Sequence, residues 1–148
     1  MIVNGTTYKD ETPDEVIQAL ERARLTNKRV RLYYGDHETG RDWLEENDVT
    51  GYIGRSMGPR YCVPILLYNS RSIGGPALLD GCIVRLLVDG REVYRTPNYK
   101  EPVFTLTHEG PGDLRERVYV DGKNIANFRT EKQALRWIAF MKGERRTR

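Results

Sequence analysis

The sequence has little cysteine and little histidine, with two of each in 148 residues. Cys62 and Cys82 both lie in apolar, strand-like runs, which favours buried thiols in a reducing compartment over a disulfide. His37 lies between two acidic residues and lacks the C-x-x-C or paired-histidine spacing of a zinc site. The composition therefore predicts no metal site and no cofactor, and it argues against the disulfide-rich class of small proteins.

Long apolar runs are also missing. No segment approaches the roughly 18 consecutive apolar residues that a membrane-spanning helix needs. The first residues, MIVNGTTYKDE, lack the basic start and the apolar stretch of a signal peptide. We therefore expect a cytoplasmic protein that has no membrane partner.

Acidic residues are absent from Val49 to Leu79, although the whole chain contains 21 of them. This acid-free stretch is rich in glycine and arginine. Glycine lets the backbone approach a ligand closely, and arginine can bind a phosphate through two hydrogen bonds. The stretch predicts a phosphate site on two Gly-rich loops, with tyrosines that can stack on a base. The predicted ligand-binding residues are Arg55, Ser56, Arg60, Arg71, Ser72, Gly74, Gly75, Tyr33 and Tyr52. An equally good interpretation is two surface turns and core tyrosines.

Two helices are predicted, one near each end of the chain. In the first, Thr12 is the predicted cap, Glu15 completes a capping box, and the apolar stripe continues to about Asn27. In the second, Thr130 is the predicted cap and Gly143 ends the helix.

The rest of the chain alternates between short apolar runs and turn residues, which is typical of strands. Asn-Gly and Asp-Gly pairs at 4–5, 89–90 and 121–122 predict tight hairpin turns. Pro64 predicts that its strand is an edge strand or carries a bulge, because proline cannot donate to a strand ladder. Cys82–Val88, the most apolar run, predicts a central strand.

These elements predict the α+β class: mainly an antiparallel curved sheet or small open barrel of seven to eight short strands, with one helix near each end. The length predicts a single domain over residues 1–148. Within it, residues 115–143 are expected to form a C-terminal β-hairpin plus helix unit, and residues 144–148 a basic tail.

One pattern suggests an enzyme. Gly54 to Gly58 match G-x-S-x-G, which would make Ser56 a nucleophile. That motif needs a helix after the serine, whereas Pro59 and another strand-like run follow it here. His108 is the only histidine downstream that could serve as a base. The sequence thus favours a non-enzymatic role, with no catalytic residue, and leaves a small hydrolase or nuclease as the second alternative.

The charge is unevenly distributed, with a net charge of −1 over residues 1–74 and +4 over residues 75–148. Basic residues gather around the last helix, as in proteins that bind polyanions. They predict the first alternative function, a binder of nucleic acid or of a nucleoprotein complex, such as a CRISPR-type inhibitor or a DNA-binding accessory protein. The residues predicted for this role are Arg136, Lys142, Arg145 and Arg146.

Four phrases of the sequence, YYGDHETGRDWLEEND, GYIGRSMG, VPILL and GGPALLDGCIVR, resemble an uncharacterised family of small proteins encoded on bacterial plasmids and integrative mobile elements. They cover about residues 31–87 and leave out both ends of the chain. The resemblance implies an accessory protein with an anti-defence role, which binds a nuclease complex or sequesters a nucleotide signal. It implies no particular site residues.

The leading hypothesis from the sequence is a non-enzymatic binding protein that sequesters a phosphate-bearing, nucleotide-type ligand. Because a nucleotide site is often completed between subunits, this hypothesis favours a homo-oligomer.

Overall fold

The computed structural model describes residues 1–44, 50–56 and 62–144. Within these residues the chain forms ten strands and two α-helices in three antiparallel sheets, none of which closes into a barrel. The predicted α+β class is therefore confirmed. The chain divides into two compact units, Met1–Lys100 and Glu101–Arg148. The single domain over the whole chain stays a prediction.

The strands and helices follow the turn signals of the sequence closely. In chain order they are β1 (Ile2–Val3), β2 (Thr6–Thr7), α1 (Asp14–Thr26), β3 (Arg29–Tyr34), β4 (Thr50–Arg55), β5 (Pro64–Leu67), a 3-10 turn (Asp80–Cys82), β6 (Ile83–Val88), β7 (Arg91–Arg95), β8 (Phe104–Thr107), β9 (Glu116–Val120), β10 (Lys123–Phe128) and α2 (Glu131–Lys142). All three predicted hairpin turns are present. Their first residues, Asn4, Asp89 and Asp121, have φ of 50°, 55° and 51°, and glycine with positive φ follows each.

The first unit contains a five-stranded sheet in the order β5-β4-β3-β6-β7. The side chains of strand β3 alternate between the two faces of the sheet: Leu32 and Tyr34 belong to the main core, and Tyr33 belongs to a second cluster on the other face. The main core also includes Leu20 of α1 and Leu86 of β6, both fully buried. Strand β6 is an interior strand, as its apolar composition predicts.

Strand β5 is the edge strand that Pro64 predicts, because it ends the order of the sheet. The chain returns along its outer side. The backbone N–H of Leu66 donates to the Pro76 carbonyl at 2.9 Å, and that of Leu78 donates to the Pro64 carbonyl at 2.9 Å. Residues 76–78 thus cover part of an edge that would otherwise be open to pairing.

The predicted Thr12 cap of α1 is wrong. The cap position is Pro13, and α1 has no side-chain capping hydrogen bond there. Thr12 is buried instead, and its hydroxyl donates to Oδ2 of Asp80 at 2.6 Å. The same oxygen accepts from the backbone N–H of Lys9 at 2.7 Å. The buried carboxylate of Asp80 therefore offers the threonine a stronger, charge-assisted partner than the helix terminus does.

The second helix is capped as predicted. The Thr130 hydroxyl accepts a hydrogen bond from the backbone N–H of Gln133 at 3.2 Å, and Gly143 ends the helix with a φ of 79°.

The second unit is a three-stranded sheet in the order β10-β9-β8 with α2 packed on one face. The ring of Trp137 on α2 lies 6.1 Å from the Phe104 ring and 5.8 Å from the Phe128 ring. Val118 of β9 and Ala134 of α2 are fully buried. These residues form the apolar core of the unit.

Glu21 of α1 makes the first unit sensitive to pH. Its side chain is almost fully buried and accepts hydrogen bonds from the Tyr8 hydroxyl, from Nδ2 of Asn4 at 3.2 Å and from Nη2 of Arg24 at 2.9 Å. Burial by itself raises the pKa of Glu21, but the hydrogen bonds from Arg24, Tyr8 and Asn4 outweigh it and lower the pKa below its ordinary value.

Because this pKa is lower in the folded state than in the unfolded state, the carboxylate stabilises the fold above the unfolded pKa of about 4.3. That stabilisation is lost as the pH falls through the folded pKa. We expect the free energy of unfolding to fall between about pH 5 and about pH 3 and to fall less steeply in Glu21→Gln. Urea denaturation across this range measures both slopes, and identical slopes would contradict the assignment.

Candidate functional site

Two of the predicted ligand-binding residues lie at the hairpin that joins β4 and β5. Arg55 is exposed at the end of β4, and its Nη1 donates to the backbone carbonyl of Asn4 at 3.0 Å. The Ser56 hydroxyl accepts from the backbone N–H of Val63 at 3.0 Å. Arg60 lies outside the described residues. Arg55 and Ser56 are thus already hydrogen-bonded within the chain.

The second Gly-rich loop follows the other end of β5. Asn69 organises it: its Oδ1 accepts from the backbone N–H of Arg71 at 2.9 Å, and its carbonyl accepts from the N–H of Ser72 at 3.1 Å. The backbone N–H groups of Arg71 and Ser72 are therefore already hydrogen-bonded within the loop. Gly75 is required by close packing, since a Cβ there would lie 2.1 Å from the Leu66 carbonyl oxygen. Gly74 has a φ of 79° and open space around it.

The structure does not bring the described residues of these two loops together. Ser56 pairs with Val63 just before β5, whereas Ser72 pairs with Asn69 just after it. Each strand residue advances about 3.3 Å, so the loops lie at opposite ends of the strand. A ligand bound by one loop alone would differ from the predicted phosphate site, which uses both loops. The small phosphate ligand stays a prediction.

Tyr33, a predicted ligand-binding residue, lies on the face of the sheet opposite α1. It is only 4 % exposed, and the guanidinium carbons of Arg31 and Arg85 lie 4.9 Å and 4.8 Å from the centre of its ring. Burial raises its pKa. The Tyr33 ring therefore already makes cation–π contacts with two arginines of the protein itself. Tyr52, which is half-buried, lies opposite Arg29 in the neighbouring strand.

The cluster continues beyond the predicted residues. Oε1 of Glu92 accepts from Nε of Arg85 at 2.6 Å and from Nε of Arg95 at 2.8 Å. The Arg95 guanidinium lies 5.0 Å from the ring of Tyr99. Arginine–carboxylate hydrogen bonds and arginine–ring contacts thus connect Arg85, Arg95, Glu92, Tyr33 and Tyr99. The signal for this cluster in the sequence is Arg85, a single charge inside the most apolar run.

Within the described residues, we find no arrangement of catalytic groups that supports the enzyme alternative. The Ser56 hydroxyl meets the backbone of Val63, and His108 pairs with the carboxylate of Glu116. In the same part of the chain, no group of three or more His, Cys, Asp or Glu side chains could hold a metal ion. No described helix is long and apolar enough to cross a membrane.

Within the described residues of the second unit, a helix packs on only one face of the sheet. Strand register identifies its residues, because directly paired residues lie on the same side of a sheet. In the central strand, Arg117 pairs with Thr107 of β8 and with Asn127 of β10. Two residues further along β9, Tyr119 pairs with Thr105 and with Asn124. The alternate residues, including Phe104, Val118 and Phe128, face the helix. We call the six residues Thr105, Thr107, Arg117, Tyr119, Asn124 and Asn127 the open face.

All six side chains of the open face can form hydrogen bonds, and none is acidic or aliphatic. Thr105, Asn124 and Asn127 are exposed, and the other three are half-buried. Asn124 is held in place, because its Nδ2 donates to the Val118 carbonyl at 3.1 Å and to Oδ1 of Asn127 at 3.1 Å. The sequence predicts strands β9 and β10, but it does not identify this face, which depends on the register across three strands.

The cations predicted for nucleic-acid binding lie elsewhere in this unit. Arg136 is exposed on α2, on the helix side of the sheet. Lys142 is half-buried, and its Nζ lies 5.9 Å from the centre of the Phe104 ring. Arg145 and Arg146, with most of the predicted basic tail, lie outside the described residues. Three further exposed cations flank the sheet: Arg115 precedes β9, Lys123 begins β10, and Arg129 follows it.

Comparison with protein-family models, with curated proteins and with solved structures found no match. The mobile-element origin and the anti-defence role that the four phrases imply therefore stay predictions.

Proposed function

We propose that this protein is a non-enzymatic nucleic-acid-binding protein and that its C-terminal unit, residues 101–148, is the part that binds. The observation that carries the proposal is the open face. It is a sheet surface of six hydrogen-bonding side chains without a carboxylate, opposite the face on which Phe104, Val118 and Phe128 pack toward the helix. Such a surface is suited to a polar, negatively charged partner.

The distribution of charge supports the same part of the chain. Residues 1–100 carry 14 Lys and Arg and 14 Asp and Glu, so they have no net charge. Residues 101–148 carry ten basic and seven acidic residues, so the entire net charge of +3 lies in the second unit. A nucleic acid presents a dense line of negative charge, which attracts such a unit before any specific contact forms.

The positions of the acidic residues support the proposal further, because none of them interrupts the open face. Glu116 is paired with His108, and Asp121 accepts a hydrogen bond from the backbone N–H of Val103 at 3.1 Å in the hairpin turn. The others lie at the ends of the unit, in the loop between β8 and β9, or on the helix: Glu101, Glu109, Asp113, Glu131 and Glu144.

The geometry favours this function over the small phosphate ligand. The two Gly-rich loops lie at opposite ends of β5, and the backbone donors of Arg71 and Ser72 are in use. The Tyr33 ring already contacts the guanidinium groups of Arg31 and Arg85 in the same sheet. In the second unit, the polar side chains of the open face are already on the surface, so a ligand could bind them without rearrangement of the unit.

Salt dependence tests the proposal. Fluorescence anisotropy of a labelled, mixed-sequence duplex measures the affinity of the intact protein at increasing salt. If the unit neutralises about three phosphates, affinity should fall roughly 40-fold between about 50 mM and about 200 mM salt, because bound counterions are released. An excess of ATP should not displace the duplex. Absence of binding at low salt, or an affinity that does not change with salt, would contradict the proposal.

A further inference from the structure

We infer that the ligand of the second unit is double-stranded DNA and that the open face enters its major groove, where Arg117 and Asn127 contact base edges. The inference rests on the proposed function and names the kind of nucleic acid and the residues that read it.

The register places the two reading residues side by side. Arg117 is in the middle strand, and its direct neighbours are Thr107 on one side and Asn127 on the other. Directly opposed residues have Cβ atoms about 4.5–5.5 Å apart, so the three form one continuous row. Tyr119, Thr105 and Asn124 form a second, parallel row. Two rows of donors and acceptors on a rigid sheet can contact neighbouring base pairs.

The width of the sheet selects the groove. Neighbouring strands lie about 4.8 Å apart, so the outer strands of a three-stranded sheet are about 10 Å apart. The major groove of B-DNA is about 12 Å wide and admits a two-stranded β-ribbon, so two adjacent strands such as β9 and β10 can enter it, whereas the minor groove is about 6 Å wide. The major groove of duplex RNA is deep and too narrow for side chains to read. Base edges in a major groove are therefore accessible to this surface in duplex DNA and not in duplex RNA.

The side chains have the chemistry of base readout. Arginine binds the O6 and N7 atoms of guanine with two hydrogen bonds, and asparagine binds the N6 and N7 atoms of adenine in the same way. The amide of Asn127 is oriented by Asn124, which donates to its Oδ1 at 3.1 Å and is itself held by the Val118 carbonyl. Asn124 is therefore a positioning residue for Asn127.

Single-stranded nucleic acid fits this surface less well. Proteins that bind single strands stack the bases on exposed aromatic rings. Here Phe104 and Phe128 contact Trp137 in the helix–sheet core. The open face offers one aromatic residue, Tyr119, and it is half-buried.

The flanking cations complete the arrangement. Arg115 and Arg129 lie at the same end of the β9–β10 pair, because Glu116 pairs with Phe128, and Lys123 lies at the other end. All three are exposed. Arg115 and Arg129 lie two residues from Arg117 and Asn127 along the chain, so they continue the open face, whereas Lys123 pairs with Val120 on the helix side. Two cations at one end of the reading surface can contact phosphates beside the groove, which fixes the position of the protein without specifying sequence.

Selection from a library of randomised duplexes tests the inference with the intact protein. We expect a consensus that contains at least one guanine. Arg117→Ala should lower the affinity for the selected duplex roughly 5- to 150-fold and should change the affinity for a scrambled duplex much less. Arg117→Lys keeps the charge but not the two-pronged hydrogen bonding, so it should lose the preference for guanine and retain binding to the scrambled duplex.

Arg136→Ala is the matched control, because it removes the same charge from the helix side of the same unit. It should affect both duplexes equally and weakly. Circular dichroism verifies that each variant is folded. If the protein selects no consensus, prefers single strands or RNA, or loses both duplexes equally in Arg117→Lys, the inference is wrong while the proposed function stands. If no nucleic acid binds in a salt-dependent way, the proposed function itself is wrong.

Discussion

Asp80→Ala is expected to lower the free energy of unfolding by about 3 kcal/mol, because it leaves the buried Thr12 hydroxyl and the part-buried Lys9 N–H without an acceptor. Asp80 is 3 % exposed, and its Oδ2 accepts from the Thr12 hydroxyl at 2.6 Å and from the Lys9 backbone N–H at 2.7 Å. These contacts attach the segment before α1 to the turn before β6. Chemical denaturation followed by circular dichroism measures the loss.

Two variants control this prediction. Asp80→Asn keeps an uncharged oxygen where both donors point, so it should cost about 1 kcal/mol. Asp10→Ala removes a carboxylate that pairs with the N-terminal amine at 3.2 Å on the surface, and it should cost less than about 0.5 kcal/mol. Equal losses in Asp80→Ala and Asp10→Ala would show that the buried carboxylate has no special role.

Trp137→Ala is expected to cost about 3 kcal/mol, at the lower end of the range for removal of a large aromatic side chain from a core, because Trp137 is only half-buried. Its ring contacts both Phe104 and Phe128, one on each outer strand of the sheet. It therefore joins the helix to the strands that carry the open face. We expect the variant to lose DNA binding at a lower temperature than the unmodified protein.

Trp137→Phe is the matched variant. It keeps an aromatic ring between the two phenylalanines and should cost no more than about 1.5 kcal/mol. Thermal unfolding and duplex binding, measured on the same samples, should decline together for both variants. Binding that persists after the second unit has unfolded would contradict the assignment of binding to that unit.

Local features of this fold could be predicted from the sequence because they depend on neighbouring residues. The Asn4-Gly5 and Asp121-Gly122 turns need positive φ at both positions, which few residue pairs adopt easily. Pro64 cannot donate in a ladder, so its strand had to lie at an edge or a bulge. The Thr130 cap also depends on a residue only three positions away.

Features that depend on distant residues could not be predicted in this way. Thr12 has the residue type and spacing of a cap, but its hydroxyl finds Asp80, which is 68 residues away in sequence. Arg55 and Arg71 have the composition expected of a phosphate site, yet they lie at opposite ends of β5. The open face depends on the pairing of Thr107, Arg117 and Asn127, which come from three strands.

The central claim is that nucleic acid binds at the second unit, and a charge-matched comparison of two exposed arginines tests it most directly. Duplex affinity is measured as a function of salt for two variants. Arg115→Ala is beside the open face, and Arg71→Ala is on the second Gly-rich loop. The claim predicts that Arg115→Ala lowers the slope of log affinity against log salt by about 1 and that Arg71→Ala leaves it unchanged. The reverse result would contradict the claim and would indicate that the duplex phosphates bind at the second Gly-rich loop.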